Sequence, residues 1–215
     1  MIELHYFPGN ASMTPHMLLE ELGVPFTLRH VDRANAAHKS PAYLKLNPNG
    51  LIPVLVDGDL VLYETAAIVL HLVDTHPGAG LAPAVGSAGR AQFYKWLAWL
   101  SSSLQAAMPL YFYPDRYVAA GNADGARQVK AQAEARIAAL VDQIDAQLAS
   151  HGGPWLLGDR YTAVDPYAFM LCRWTRGMQR PARTLPHIAP FLQRVLARPA
   201  VQRTIATEAL PEPLV

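Results

Sequence analysis

The chain has 215 residues, 51% apolar and 16% charged, a composition typical of a globular protein rather than a disordered one. Its 18 Lys and Arg and 17 Asp and Glu leave a formal net charge of +1 without a basic cluster, which argues against nucleic acid as a partner. Its single cysteine, Cys172, excludes an intrachain disulfide, and its most apolar stretch, residues 66–73, is too short to span a membrane, so we expect a cytoplasmic protein without a membrane partner.

The first half of the chain alternates strand and helix patterns. Apolar runs between turn residues predict strands at 2–7, 26–31, 51–56 and 60–63. Helical spacing of apolar residues predicts helices at 13–22, about 42–46 and 64–76. Gly23 is a common stop signal after the first helix, and Asp57 followed by Gly58 favours a hairpin. Pro53 cannot donate a ladder hydrogen bond, so it belongs at an edge strand, at a bulge or among the first residues of its strand. The pattern indicates a small mixed sheet covered by helices.

The second half shows only helical patterns. Residues 77–89 are rich in Pro, Gly and Ala, which is typical of a linker. Beyond them, helical periodicity predicts helices at 90–113, 126–148, 163–177, 187–197 and 200–206. We therefore predict an α/β domain at 1–77, a linker at 78–88 and an all-α domain at 89–215.

This plan resembles that of the cytosolic glutathione transferases, and local segments carry the resemblance along nearly the whole chain. Residues 6–9 are similar to the start of the bacterial beta-class enzymes, and residues 47–55 are similar to the family's N-P-x-G-x-(V/I)-P-x-L segment. Residues 63–68 resemble its Glu-Ser/Thr pair at a helix start, and residues 155–165 resemble its capping-box segment.

The resemblance implies a thioredoxin-like, glutathione-binding N-terminal domain and an all-α C-terminal domain that forms the pocket for the second substrate. It implies a glutathione S-transferase that conjugates the glutathione thiolate to small hydrophobic electrophiles, with glutathione-dependent peroxidase activity as a related reaction. Glutathione would be a cosubstrate, no metal would be needed, and the protein would be a homodimer. The histidines and the one cysteine show no metal-ligand spacing.

Pro53 occupies the position of the family's cis-proline. A cis bond at this point exposes the main-chain N–H and C=O of Ile52, which can pair with an extended peptide as an added strand would. The resemblance implies that this pairing holds the cysteinyl unit of glutathione. An ordinary edge-strand proline is the alternative interpretation.

Glu64 and Thr65 follow a strand and open a helix. A helix N-terminus carries unpaired N–H groups and a partial positive charge, so it attracts a carboxylate. The resemblance implies that Glu64 binds the α-ammonium of the γ-glutamyl unit, while the Thr65 hydroxyl and nearby amides bind its α-carboxylate. Plain helix capping is the alternative.

The side chains that would activate the thiol depart from the beta-class pattern. The beta-class catalytic cysteine falls on Ala11, which leaves Ser12 as the first candidate donor to the glutathione sulfur and Asn10 as the second. The beta-class histidine of the first long helix falls on Gln105, and Lys39 is the only basic candidate after the second strand. Both are candidate glutathione-binding residues.

Two other functions remain open from the residues. Because the catalytic cysteine is replaced, the chain could be a non-catalytic carrier or interaction protein with this fold. A glutathione-dependent isomerase or dehalogenase is the third hypothesis.

Thr162 and Asp165 have the spacing of a capping box, in which two side chains satisfy unpaired backbone donors at a helix start. We expect a role in folding and none in catalysis. Cys172 lies in the middle of a predicted helix, between Leu171 and Arg173, so we expect it to be a packed core residue.

Overall fold

The four predicted strands form one mixed sheet in the computed structural model, which describes residues 1–215. The strands are β1 (Ile2–Tyr6), β2 (Phe26–His30), β3 (Val54–Asp57) and β4 (Leu60–Tyr63). Their order in the sheet is β2-β1-β3-β4, with β1 parallel to β2 and β3 antiparallel to both of its neighbours.

The third strand is shorter than predicted. We expected residues 51–56, but pairing starts at Val54, because Pro53 has no N–H to donate to the ladder. The predicted hairpin is present, with Gly58 at a φ of 60° in the turn between β3 and β4.

Nine α-helices accompany the sheet, at or near the predicted places. They are α1 (Met13–Leu22), α2 (Pro41–Leu44), α3 (Thr65–Thr75), α4 (Ala88–Trp99), α5 (Ala106–Phe112), α6 (Ala123–His151), α7 (Val164–Trp174), α8 (Ile188–Leu196) and α9 (Pro199–Thr207). The predicted helix at 90–113 is α4 and α5 joined by a π-helical segment, Leu100–Gln105. None of these helices has the length and apolarity needed to cross a bilayer.

The chain divides into two compact units, and the division differs from the predicted one. Unit 1 comprises Met1–Ala82 together with Val195–Leu214, and unit 2 comprises Pro83–Arg194 with Val215. We predicted that 89–215 would form one helical domain. In the structure, the C-terminal segment that contains α9 belongs to unit 1.

Two ion pairs join α1 to α9 and to Arg198, the residue directly before α9, within unit 1. Arg198 donates to both carboxylate oxygens of Glu21 at 2.5 and 2.8 Å, and Arg203 donates to Glu20. The buried face of α9, which includes Val201 and Ile205, makes the attachment largely apolar. The last helix is therefore part of the unit that carries the sheet.

Unit 2 is held by helix faces that the periodicity predicted. Ile137, Val141 and Ile144 of α6 are buried on one side of the helix. Every residue of α7 from Val164 to Arg173 is buried, and this includes Cys172, whose burial raises the pKa of the thiol to about 12. Cys172 is thus the packed core residue that we expected.

The capping segment before α7 is built around one buried carboxylate. Asp165 accepts hydrogen bonds from the Thr162 N–H at 2.7 Å and from the Leu156 N–H at 2.8 Å. The Thr162 hydroxyl also donates to this carboxylate, at 3.2 Å, instead of accepting a backbone N–H as the capping-box prediction had it. Asp165 therefore joins the loop at Leu156 to the start of α7.

A second carboxylate links two helices of unit 2. Asp145 of α6 accepts the main-chain N–H groups of His187 and Ile188, both at 2.9 Å, and the His187 side chain at 3.0 Å. Burial favours the neutral carboxyl, but the hydrogen bonds from His187 and Ile188 outweigh it and lower the pKa of Asp145. Asp145 thereby caps the start of α8.

Replacing Asp165 by Ala is expected to lower the free energy of unfolding by about 3 kcal/mol, because three buried donors lose their acceptor. Asp142→Ala is the matched control, since it breaks only the exposed pair with Arg180 and should change stability little. Urea denaturation measures both variants. Equal midpoints for the two would contradict the role given to Asp165.

Asp145→Ala is expected to cost about 1 kcal/mol at pH 7, the usual value of a helix cap. A carboxylate whose folded-state pKa is lowered stabilises the protein above its unfolded-state pKa, and this contribution is lost as the pH falls through the folded-state value. The difference in melting temperature between wild type and variant should therefore shrink below about pH 4. A difference that stays constant from pH 7 to pH 3 would count against this account.

Candidate active site

Strand pairing brings four loop segments of unit 1 to the same edge of the sheet. Val54 at the start of β3 pairs with His5 on one side and with Tyr63 on the other, and Tyr6 pairs with His30. The segments that leave or enter the sheet here are 7–12 after β1, 31–39 after β2, 51–53 before β3 and 64–65 after β4. Seven of the predicted site residues lie on these segments: Asn10, Ser12, Lys39, Ile52, Pro53, Glu64 and Thr65.

The peptide bond between Ile52 and Pro53 is cis, as predicted. Neither the N–H nor the C=O of Ile52 has a hydrogen-bond partner within the chain. Pro53 is buried, whereas Ile52 is half-buried at the sheet edge. This main chain can thus pair with an extended peptide laid along the edge.

The loop before the cis bond is held by residues that sequence analysis did not single out. The Tyr43 hydroxyl and the Asn47 side-chain amide both donate to the Leu51 carbonyl at 2.9 Å. Asn47 entered the sequence analysis only as the first residue of the 47–55 segment, without a role of its own, and nothing there distinguished Tyr43. Lys39, a predicted site residue, donates from Nζ to the Asn49 carbonyl at 3.1 Å and is otherwise exposed.

Glu64 has a strained backbone at the start of α3. Its φ is +76°, a region that residues with a side chain rarely adopt, and its side chain is exposed. Thr65 is buried behind it, and the N–H groups of Thr65, Ala66 and Ala67 have no partner in the chain. The arrangement places a carboxylate next to a helix end that attracts anions.

The loop between β1 and α1 holds the two candidate sulfur ligands differently. The Ser12 hydroxyl is buried, and it both donates to the Phe7 carbonyl and accepts the Phe7 N–H, each at 3.2 Å. The Asn10 side chain is half-buried, and its Oδ1 accepts the Ala11 N–H at 2.7 Å. The amide nitrogen of Asn10 has no partner in the chain.

A buried carboxylate from the C-terminal segment supports this loop. Glu208 accepts the Gly9 N–H through one oxygen and His16 Nδ1 through the other, both at 2.7 Å. Burial raises the pKa of the Tyr6 hydroxyl, and the charge of Glu208 adds to the effect. Glu208 and His16 are 192 residues apart, so no sequence signal linked them.

Gln105, the remaining predicted site residue, lies in unit 2. It closes the π-helical segment before α5, and its side-chain oxygen accepts a hydrogen bond from the Tyr167 hydroxyl. Its predicted contact with glutathione stays a prediction. No group of three or more His, Cys, Asp or Glu side chains is arranged to hold a metal ion.

A four-stranded mixed sheet with a cis-proline at the edge and helices on its faces defines unit 1 as a thioredoxin-like fold, joined in the same chain to an all-helical unit. Residues 10–75 match the glutathione S-transferase N-terminal domain family, and residues 114–208 match the corresponding C-terminal domain family. The chain belongs to the glutathione S-transferase family, as the sequence resemblance predicted.

Known relatives cover nearly all of both chains. A glutathione S-transferase of Xanthomonas campestris pv. campestris is 32% identical over 97% of this chain and 100% of its own. A glutathione transferase homologue from Sulfitobacter, solved with bound glutathione, has a TM-score of 0.89 at 29% identity and covers 98% of this chain and 99% of its own. A glutathione transferase from Methylococcus capsulatus has a TM-score of 0.85 at 31% identity, with 98% and 100% covered.

These comparisons identify the protein as a glutathione transferase enzyme and confirm the predicted fold class. They do not favour the carrier, isomerase or dehalogenase alternatives.

Replacing Glu64 by Gly is expected to raise the free energy of unfolding by about 1 kcal/mol, because glycine adopts a positive φ without the steric cost that a Cβ imposes. Glu64→Ala is the matched control, since it removes the same exposed carboxylate and keeps the strained backbone. Its stability should stay close to that of wild type. If urea denaturation finds the glycine variant no more stable than the alanine variant, the backbone at this position is not strained.

Proposed function

We propose that the protein binds glutathione in extended form along the sheet edge of unit 1 and conjugates its thiolate to small hydrophobic electrophiles. The observation that carries the proposal is the unpaired Ile52 main chain beside the cis bond, next to the free amides at the start of α3. An extended cysteinyl unit pairs with Ile52, and the register of Val54 with Tyr63 leads its γ-glutamyl end towards Glu64 and Thr65.

The γ-glutamyl end matches the chemistry of the helix start. The Glu64 carboxylate attracts the α-ammonium, while the Thr65 hydroxyl and the N–H groups behind it donate to the α-carboxylate. The strained backbone of Glu64 is consistent with this role, because such strain persists mainly where a ligand contact depends on it.

We assign the glycine carboxylate to Lys39. Its Nζ lies against the loop that precedes Ile52, where it donates to the Asn49 carbonyl, and the side chain remains exposed enough to reach a ligand. An ammonium at this place supplies charge to an anionic end without requiring a fixed geometry.

The contacts favour Asn10 over Ser12 as the donor to the glutathione sulfur. The Ser12 hydroxyl is buried and engaged in both directions with Phe7, which supports a structural role for it. In Asn10, the bond from the Ala11 N–H fixes Oδ1 and leaves the amide nitrogen available. A donor directed at sulfur stabilises the thiolate over the thiol and lowers the pKa of glutathione from its ordinary value of about 8.5.

The reaction that follows is a nucleophilic substitution. The thiol loses its proton to solvent, the sulfur forms a bond to the electrophilic carbon, and the leaving group departs with the electron pair. Binding raises the local concentration of the thiolate near neutral pH, and no covalent bond to the protein is formed.

The remaining assignments extend the same proposal. The predicted role of Gln105 in glutathione binding stays part of the proposal, as the family register implies, and we propose that the protein is a cytoplasmic homodimer. Exposed apolar side chains support an interface between copies, among them Leu60 and Val61 of β4 and Tyr94 of α4.

The test compares Asn10→Ala with Ser12→Ala, using glutathione and 1-chloro-2,4-dinitrobenzene. Losing a hydrogen bond to a charged sulfur should reduce kcat/KM for Asn10→Ala about 10- to 100-fold and shift its pH profile upward by about one unit or more. Ser12→Ala should mainly lower thermal stability and leave the pH profile in place. An unshifted profile in Asn10→Ala with a shifted one in Ser12→Ala would reverse the assignment. A wild type that neither binds glutathione nor turns over the substrate would overturn the proposed function.

A further inference from the structure

We infer that Tyr43 and Asn47 are positioning residues for glutathione binding, because together they set the main-chain geometry of Ile52 through the carbonyl of Leu51. The inference rests on the proposed function, in which Ile52 pairs with the cysteinyl unit. Neither side chain needs to touch the ligand.

The two donors converge on one acceptor. The Tyr43 hydroxyl and the Asn47 amide each lie 2.9 Å from the Leu51 carbonyl oxygen, so both of its lone pairs are used. The donors are 6% and 2% exposed, which protects these bonds from competition by water. The carbonyl belongs to the residue directly before Ile52, and its orientation therefore fixes the peptide plane that carries the Ile52 N–H.

The loop has few other means of being held at this point. The Leu51 side chain is 57% exposed and contributes little packing, and Ile52 makes no main-chain hydrogen bond. The turn before it closes through the Gly50 N–H, which donates to the Asn47 carbonyl at 2.9 Å. Asn47 thus holds the loop on both sides of Gly50.

The donor from Tyr43 is itself held in place. Its ring packs with Val31 and Val54 in a small buried cluster under the sheet, and it meets the His5 ring edge-on at 5.9 Å. Burial raises the pKa of the hydroxyl, which keeps it neutral and able to donate over the whole working range of pH. Because packing fixes the ring, the hydroxyl has a defined position. Its hydrogen bond therefore ties the Leu51 carbonyl to the buried core.

Loss of either donor should weaken the binding of glutathione to the same extent in the ground state and in the transition state. A loop that has become mobile must be ordered again when glutathione binds, and the free-energy cost of this ordering lowers the affinity for glutathione. The chemistry at sulfur occurs on another segment, near Asn10, so turnover by the saturated enzyme should change little. Such an effect raises KM for glutathione and leaves kcat nearly unchanged.

The experiment compares Tyr43→Phe with Tyr63→Phe. Tyr63 packs against the same cluster, and its hydroxyl makes no hydrogen bond within the chain, so its variant controls for loss of a tyrosine oxygen. We expect Tyr43→Phe to raise the KM and Kd for glutathione about five- to tenfold, with kcat within about twofold of wild type and Tyr63→Phe close to wild type throughout. Titration calorimetry with glutathione and initial rates with 1-chloro-2,4-dinitrobenzene provide these values.

Asn47→Ala serves as the second variant. It should also raise the KM for glutathione. The fold increase in KM for the double variant should be smaller than the product of the two single-variant increases, because the two donors share one acceptor. If wild type binds glutathione and Tyr43→Phe binds it equally well, the inference is wrong while the proposed function stands. A Tyr43→Phe variant with a lower melting temperature and an unchanged Kd would likewise reduce Tyr43 to a structural residue.

Discussion

Val54 pairs with His5 on one side and Tyr63 on the other, and the arrangement of the site depends on this register. It sets the cis bond beside the end of β1 and beside the start of α3, although these segments are far apart in the chain. Because side chains alternate between sheet faces, a slip of one residue would turn every neighbouring side chain to the opposite face. The edge that could accept an extended peptide exists only in this register.

The polar groups around this edge are of two kinds. Some have no hydrogen-bond partner in the chain and are available to a ligand, and others hold the loops in place by hydrogen bonds. The Ile52 main chain, the amides at the start of α3 and the Asn10 amide nitrogen lack partners within the chain. Behind them stand buried groups whose hydrogen bonds are directed at main chain, such as Ser12 on Phe7 and Glu208 on Gly9. Preorganised main-chain groups of this kind lower the cost of ordering that binding would otherwise carry.

The replacement of the beta-class cysteine by Ala11 is compatible with this division. The hydroxyl of the neighbouring Ser12, which the sequence register favoured as the sulfur donor, forms hydrogen bonds to the main chain of Phe7 in the same loop. Asn10 lies at the same helix start and retains a donor. A thiolate near that end would gain from the same partial charge that helix N-termini offer to other anions.

The sequence by itself determined most of the elements, because these depend on local signals: apolar periodicity, and Gly23 as a stop. The cis bond at Pro53 was implied by the family resemblance of residues 47–55, since the residues alone left an ordinary edge-strand proline open. The same resemblance singled out Glu64 and Thr65 as candidate site residues, since the residues alone left plain helix capping open. The tertiary structure alone decided that α9 joins unit 1, that Glu208 supports Gly9, and that Tyr43 and Asn47 share the Leu51 carbonyl. These features depend on which buried donor meets which acceptor once the chain has packed. The spacing of residues along the chain does not predict such long-range pairs.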